Sequence, residues 1–195
     1  MSYTEIYGFS NHGKAYLYGR VENSWRGGMA IWRILEEKHL PQYRPPYVPA
    51  YIPDDQVESW CHFKPSRLIG IDGSAAKEVL ELVNNKAIPI HERITLATTL
   101  DYCIVKKEHI PKLIEAFNAF EGETSLPEQV KILQAMYEDK KCIAVGWNQT
   151  SVNCTTWDTY GRDKKGNCKP YNLKIGDKHW SLFDDEDIKE AEKTV

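Results

Sequence analysis

Hydrophobic and polar positions along this chain follow two different periods. Between Thr4 and Phe9, and again between Ala15 and Val21, Tyr, Ile, Leu and Val dominate, and Asn11-His12-Gly13 between them is a turn chemistry that permits positive φ. An N-terminal β-hairpin is expected there. From Trp25 the interval changes: Trp25, Met29, Trp32 and Leu35 recur at helical spacing, Asn23 or Ser24 stands where an N-cap belongs, and Lys38 and His39 fall in the last turn with Pro41 beyond. This predicts a helix over 25–39.

From Pro41 to Asp55 the period disappears. This stretch holds half of the ten prolines, with Tyr43, Tyr47 and Tyr51 between them, and proline removes backbone donors and locks φ, so the segment is not helical. Two readings stay open: an extended arm laid over the domain and held by its tyrosines, or a proline-rich ligand for a partner.

Helical spacing returns after the Gly70–Ser74 turn. Val79, Leu80, Leu82 and Val83 mark a short helix that ends at Asn84-Asn85. Pro89 opens another, in which Ile90, Ile94 and Ala97 share a face. Tyr102 to Val105 reads as a strand. Ile110, Leu113, Ile114, Phe117 and Phe120 define an amphipathic helix that tolerates Pro111 in its first turn and ends at Gly122. Ser125-Leu126-Pro127-Glu128 has the form of a capping box opening a further helix through Val130, Leu133 and Tyr137. The run Cys142–Trp147 is apolar on both alternating sets, which predicts a strand covered on both faces at the centre of a sheet.

Beyond Trp147 the pattern turns abruptly polar. The region 154–195 reads as loop-like, with a frayed helix in the acidic tail from Asp184 to Glu192. Strands mixed irregularly with helices, without βαβ repeats, imply an α+β fold: a central, mostly antiparallel sheet, the N-terminal hairpin and about five packed helices.

Composition narrows the class. A chain of 195 residues, 42% hydrophobic, with six Trp, eleven Tyr and five Phe, suffices for one packed domain spanning 1–195. The formal net charge of −3 supplies no positive field for a duplex, so direct duplex binding is not expected. The opening residues lack a basic stretch followed by an apolar run, and nowhere do about 18 apolar residues run together, so membrane insertion and export are not expected and the cytoplasm is. Five cysteines, an odd number without a Cys-x-x-Cys pair, read as reduced thiols. The triplets at Asn148 and Asn153 that match a glycosylation signal then carry no meaning.

Candidate chemistry concentrates at the end of the apolar strand. Trp147, Asn148, Gln149, Thr150, Ser151 and Asn153 offer amide and hydroxyl groups in succession, a rim suited to a polar, planar ligand, or simply to satisfying loop backbone. Trp25-Arg26 before Gly27-Gly28 places a guanidinium beside a ring at a helix start, where it can take a phosphate or stack a base, or serve as core and surface ion pair. Tyr171-Asn172 and Lys178-His179-Trp180 can complete a pocket with that rim, or merely seal the edge of the core. Ser151 or Cys154 with His179 makes a poor nucleophilic pair, because no Gly-x-Ser-x-Gly turn surrounds it. His91-Glu92-Arg93 fails the His-Glu-x-x-His pattern, since position 95 is Thr, and no Gly-rich nucleotide loop exists. No metal and no cofactor are expected.

The segments Tyr3–Phe9, Asn23–Ala30, Gly146–Asn153 and Lys178-His179-Trp180 together resemble a family of small uncharacterised proteins encoded by bacteriophages and prophages of Gram-positive bacteria. The resemblance covers nearly the whole chain and transfers no catalytic residue. It implies a host-directed accessory protein that binds and modulates or inhibits a host factor, including the anti-CRISPR type of counter-defence protein. The acidic balance fits a basic nucleic-acid-binding effector as partner. The alternative is a small-ligand or nucleotide-binding protein, or an enzyme, with its polar pocket at Asn148–Asn153; a virion scaffold is a third.

Overall fold

The computed structural model describes residues 3–11, 15–22, 28–69, 75–100, 103–149 and 180–181. The two N-terminal apolar runs form an antiparallel hairpin of β1 (Tyr3–Phe9) and β2 (Ala15–Glu22). Its register shifts between Ile6 and Tyr7, so Tyr18 on β2 has no partner across the ladder, as at a β-bulge. The Tyr18 ring lies across Gly8, where an added Cβ would come within 2.4 Å of it. Only glycine leaves room for that crossing. The Tyr18 hydroxyl reaches the Asp139 carboxylate and so ties the hairpin to the helical layer. That bond holds the Asp139 carboxyl below its usual range.

Helix α1 (Gly28–His39) buries Trp32 and Leu35, as its spacing predicts, and Ile31 besides, while Met29 is half-buried; the start expected at Trp25 lies outside the described residues. The Trp32 indole N–H donates to Thr99 Oγ1 at 2.7 Å, so a large buried ring leaves no donor unmet. A short helix, α2 (Val57–Cys61), follows, then α3 (Ala75–Asn84) and α4 (Ile90–Ala97). Helix α4 is buried on nearly every side and carries two charges inward. Arg93 Nε donates to the Val83 carbonyl near the end of α3 at 2.5 Å, where a cation also opposes the helix dipole. Glu92 receives Lys38 Nζ at 2.9 Å and sits 2.5 Å from His39 Nε2, both from the last turn of α1. Burial alone would raise the Glu92 carboxyl, but these bonds outweigh it and hold it below its ordinary value.

Strand β3 (Cys103–Lys106), helices α5 (Ile110–Ala119) and α6 (Leu126–Glu138), and β4 (Ala144–Gln149) complete the body. With β5 (Trp180–Ser181) the sheet order is β2-β1-β4-β3-β5, antiparallel except for the β3–β5 pair. The α+β class and the hairpin are therefore as the pattern predicts, with six α-helices among the described residues. Strand β4 is the central one, and Ala144 through Asn148 are all buried, as expected of a strand covered on both faces, though it begins two residues later than the apolar run and Ile143 is 39% exposed.

Two expectations need correction. The start of α6 is not a capping box: Ser125 makes no side-chain cap bond, although the Leu126 N–H does find Thr124 Oγ1 at 3.2 Å. Ser125 Oγ instead accepts from Gln129 Nε2 at 3.2 Å, within a buried chain of bonds that ends on Trp147. Nor do Tyr47 and Tyr51 hold the 41–55 arm, since both are exposed while Pro45 and Val48 are buried; of the three tyrosines Tyr43 alone is half-buried, with the Arg67 guanidinium 5.6 Å from its ring centroid. The arm is a succession of tight turns, in which the carbonyls of Pro45, Pro49 and Pro53 accept from the N–H of Val48, Ile52 and Gln56. Proline supplies an acceptor while lacking a donor, and a four-residue proline spacing lets the motif repeat.

Ile6, Val105, Val145 and Trp147 belong to the main core beneath the helices. The opposite face of the sheet carries a smaller cluster of Phe9, Ile104 and Ala144, edged by Tyr7 and Ala15. No helix among the described residues is long and apolar enough to cross a membrane.

Candidate functional site

Successive side chains on a strand point to opposite faces, and this divides the predicted polar rim. Trp147, paired with Ile6, turns into the helix-covered core at 1% exposure, and its indole N–H donates to Gln129 Oε1 at 3.2 Å. It is a structural residue and not part of the rim. Asn148, paired with Glu5, lies on the other face. Gln149 closes the strand opposite Thr4 through its backbone. The other predicted site residues, Trp25, Arg26, Thr150, Ser151, Asn153 and His179, lie outside the described residues, as do Cys154, Lys178 and the 154–179 region.

Around Asn148 the sheet assembles a polar group. Asn148 Nδ2 donates to Glu5 Oε2 at 3.1 Å, and the Tyr7 hydroxyl donates to the same oxygen at 2.9 Å. Asn148 is 8% exposed, and among the described residues its buried Oδ1 has no hydrogen-bond partner. The amide cannot be turned over to repair this, because its carbonyl would then face the Glu5 carboxylate, acceptor against acceptor. Arg20, the cross-strand neighbour of Glu5, instead stands over the Tyr3 ring at 5.4 Å. Glu5 and Tyr7 carry no signal in the sequence, where they are alternate residues of an ordinary hairpin strand. Only the β1–β4 register places them beside Asn148.

A second candidate surface is built by the proline arm and α2. Glu36 of α1 accepts from the Arg67 N–H at 2.6 Å and the Ser66 hydroxyl at 2.5 Å, so the chain after α2 is folded back onto α1. Between them runs a groove of about 710 Å³ lined by Arg33, Glu37, Tyr43, Glu58, Phe63 and Lys64 among others. Four large aromatics project from this lobe: Tyr47, Trp60, Phe63 and, at 80% exposure, Tyr51. The rings of Tyr47 and Trp60 lie 6.5 Å apart and tilted. Arg44 of this lobe is engaged by Asp54 at 2.6 Å, and just beyond it Lys64 is held by Glu37 at 2.6 Å while the Arg67 guanidinium stands over the Tyr43 ring at 5.6 Å. Asp55 and Glu58 stay exposed.

Neither surface holds the geometry of nucleophilic catalysis. Cys61, Cys103 and Cys142 are free thiols, and burial pushes Cys103 and Cys142 up, away from the thiolate form that reacts. No group of three potential metal-binding side chains occurs among the described residues. No protein-family model, curated protein or solved structure matches this chain.

Proposed function

We propose that this chain is an accessory protein of phage or prophage origin that binds and modulates or inhibits a host factor, of the counter-defence (anti-CRISPR-like) kind, and docks through the lobe of residues 43–63. The observation that carries this reading is the projection of Tyr47, Tyr51, Trp60 and Phe63 into solvent from one segment. A fold able to bury Trp32 and Trp147 completely leaves these four outside, and exposed aromatics grouped in this way are the usual anchors of protein interfaces. Charge narrows the partner. With Arg44 engaged inside the lobe and Lys64 held by Glu37 beside it, what the lobe offers outward is aromatic rings with the carboxylates of Asp55 and Glu58. Arginine side chains satisfy both, stacking on Tyr and Trp and pairing with carboxylates, so the partner is a basic, nucleic-acid-binding effector.

The test is binding of the full chain to purified RNA-guided nuclease effectors of a Gram-positive host, measured by biolayer interferometry. Saturable binding that Trp60→Ala weakens by about tenfold or more, equivalent to about 1.4 kcal/mol, is expected. Binding that ignores Trp60 and Tyr47, or none to any such effector, refutes the docking surface. A second reading, a small polar ligand held near Asn148, is favoured by one observation, the buried and unpartnered Oδ1.

A further inference from the structure

We infer that Glu5 and Asn148 form a recognition site for a guanidinium group on the sheet face opposite the helices. The inference rests on the small-ligand reading just given and narrows it to a chemical class. The β1–β4 register brings the two side chains together as a directly opposed pair. Three acceptor positions are then accounted for. Glu5 Oε2 already takes two donors, from Tyr7 and Asn148. Among the described residues Glu5 Oε1 takes none, and Asn148 Oδ1 is buried and takes none. Since Asn148 is more than nine-tenths buried, an empty carbonyl there costs about 1–3 kcal/mol of desolvation that a bound donor recovers.

What completes this arrangement must bring N–H groups and no acceptor, and the adjacent carboxylate favours positive charge. A guanidinium meets each condition: it is planar, permanently charged, and presents parallel N–H donors that can engage two neighbouring oxygens at once. An ammonium is a rounder, more strongly hydrated charge and fits two trigonal acceptors less well. The face also accepts this chemistry elsewhere, since the guanidinium of Arg20 rests on the Tyr3 ring two residues from Glu5. Arg20 and Glu5 are cross-strand neighbours, yet they form no ion pair among the described residues, so the carboxylate remains available to an outside cation.

The experiment is a ¹⁵N-NMR titration of the full chain with methylguanidinium chloride, alongside tetramethylammonium chloride and guanosine monophosphate at matched ionic strength. The expected result is a saturable shift of the Asn148 side-chain amide and of the Glu5 and Tyr7 backbone amides with methylguanidinium alone. Glu5→Gln and Asn148→Val should each weaken it by about tenfold or more, while a dispersed spectrum confirms the fold. If Asn148→Val does not fold, Glu5→Gln, at a half-buried position, decides the matter. An equal response to tetramethylammonium would reduce the effect to charge screening and overturn the site. Binding of guanosine monophosphate alone would overturn the guanidinium class while leaving the small-ligand reading intact. Absence of any saturable shift would overturn both. A shift that emerges only in Arg20→Gln would show that the chain's own guanidinium occupies the position, and would equally overturn an external ligand.

Discussion

The two faces of the β1–β4 pair are built from neighbouring residues and have opposite characters. Trp147 and Ile6 face the helices, where every large group is packed and Trp147's one donor is matched by Gln129. One residue further along β4, Asn148 faces away, shares an oxygen of Glu5 with Tyr7, and leaves its own carbonyl unmatched. The indole donor on the helix-covered face is therefore met, and among the described residues the Asn148 carbonyl on the other face is not.

If that contrast is right, substitutions on the two faces should separate sharply. The largest effect belongs to Trp147→Ala, which removes the central ring of the core and should cost about 3–5 kcal/mol in denaturant unfolding. A loss no larger than that of Asn148→Val would contradict the placement of Trp147. Next comes the helical layer's buried charge. Glu92, with its side chain only 4% exposed, depends on Lys38 and His39, and Glu92→Gln should cost about 1–3 kcal/mol near neutral pH.

The same carboxylate gives a pH signature with a definite sign. Its folded pKa lies below the unfolded value of about 4.3, so its contribution is complete above that value and is lost as pH falls through the lower, folded one. Unfolding free energy should thus fall more steeply below about pH 5 in the wild type than in Glu92→Gln. Equal slopes would show that the Lys38 and His39 contacts do not persist in solution.

Smaller effects are expected away from the core. Asn148→Val removes one hydrogen bond and also an unmatched carbonyl, so the two changes offset and the net cost should be about 1 kcal/mol or less. Tyr51→Ala, at an exposed turn, should leave the unfolding midpoint nearly unmoved, within about 0.5 kcal/mol, yet weaken partner binding. A Tyr51→Ala protein that unfolds markedly earlier would mean that this ring packs in solution and is not a docking element.

Legibility from the sequence follows the same division. Helices α1, α4, α5 and α6 were readable because apolar residues recur at helical spacing and because Pro89, Pro111 and Pro127 stand at helix starts. The two-sided burial of β4 was readable from its uninterrupted apolar run. The capping box was not reliable, because the Ser125 hydroxyl is diverted to the Gln129 side chain. The arm's anchors were misjudged for a related reason: tyrosine content does not say which side chain of a turn points inward, and Val48 does so instead of Tyr47 or Tyr51.

The chain by itself determined local matters: where helices begin, where proline forbids them, which strand must be central, and that an α+β core would form. Each depends on residues close in sequence, whose spacing acts through backbone geometry alone. Tertiary structure alone decided the pairings across distance, including Glu5 with Asn148, Lys38 and His39 with Glu92, and Tyr18 with Asp139. Strand register and helix docking are set by how the whole core closes, and a shift of one residue along β4 would exchange Asn148 for Trp147.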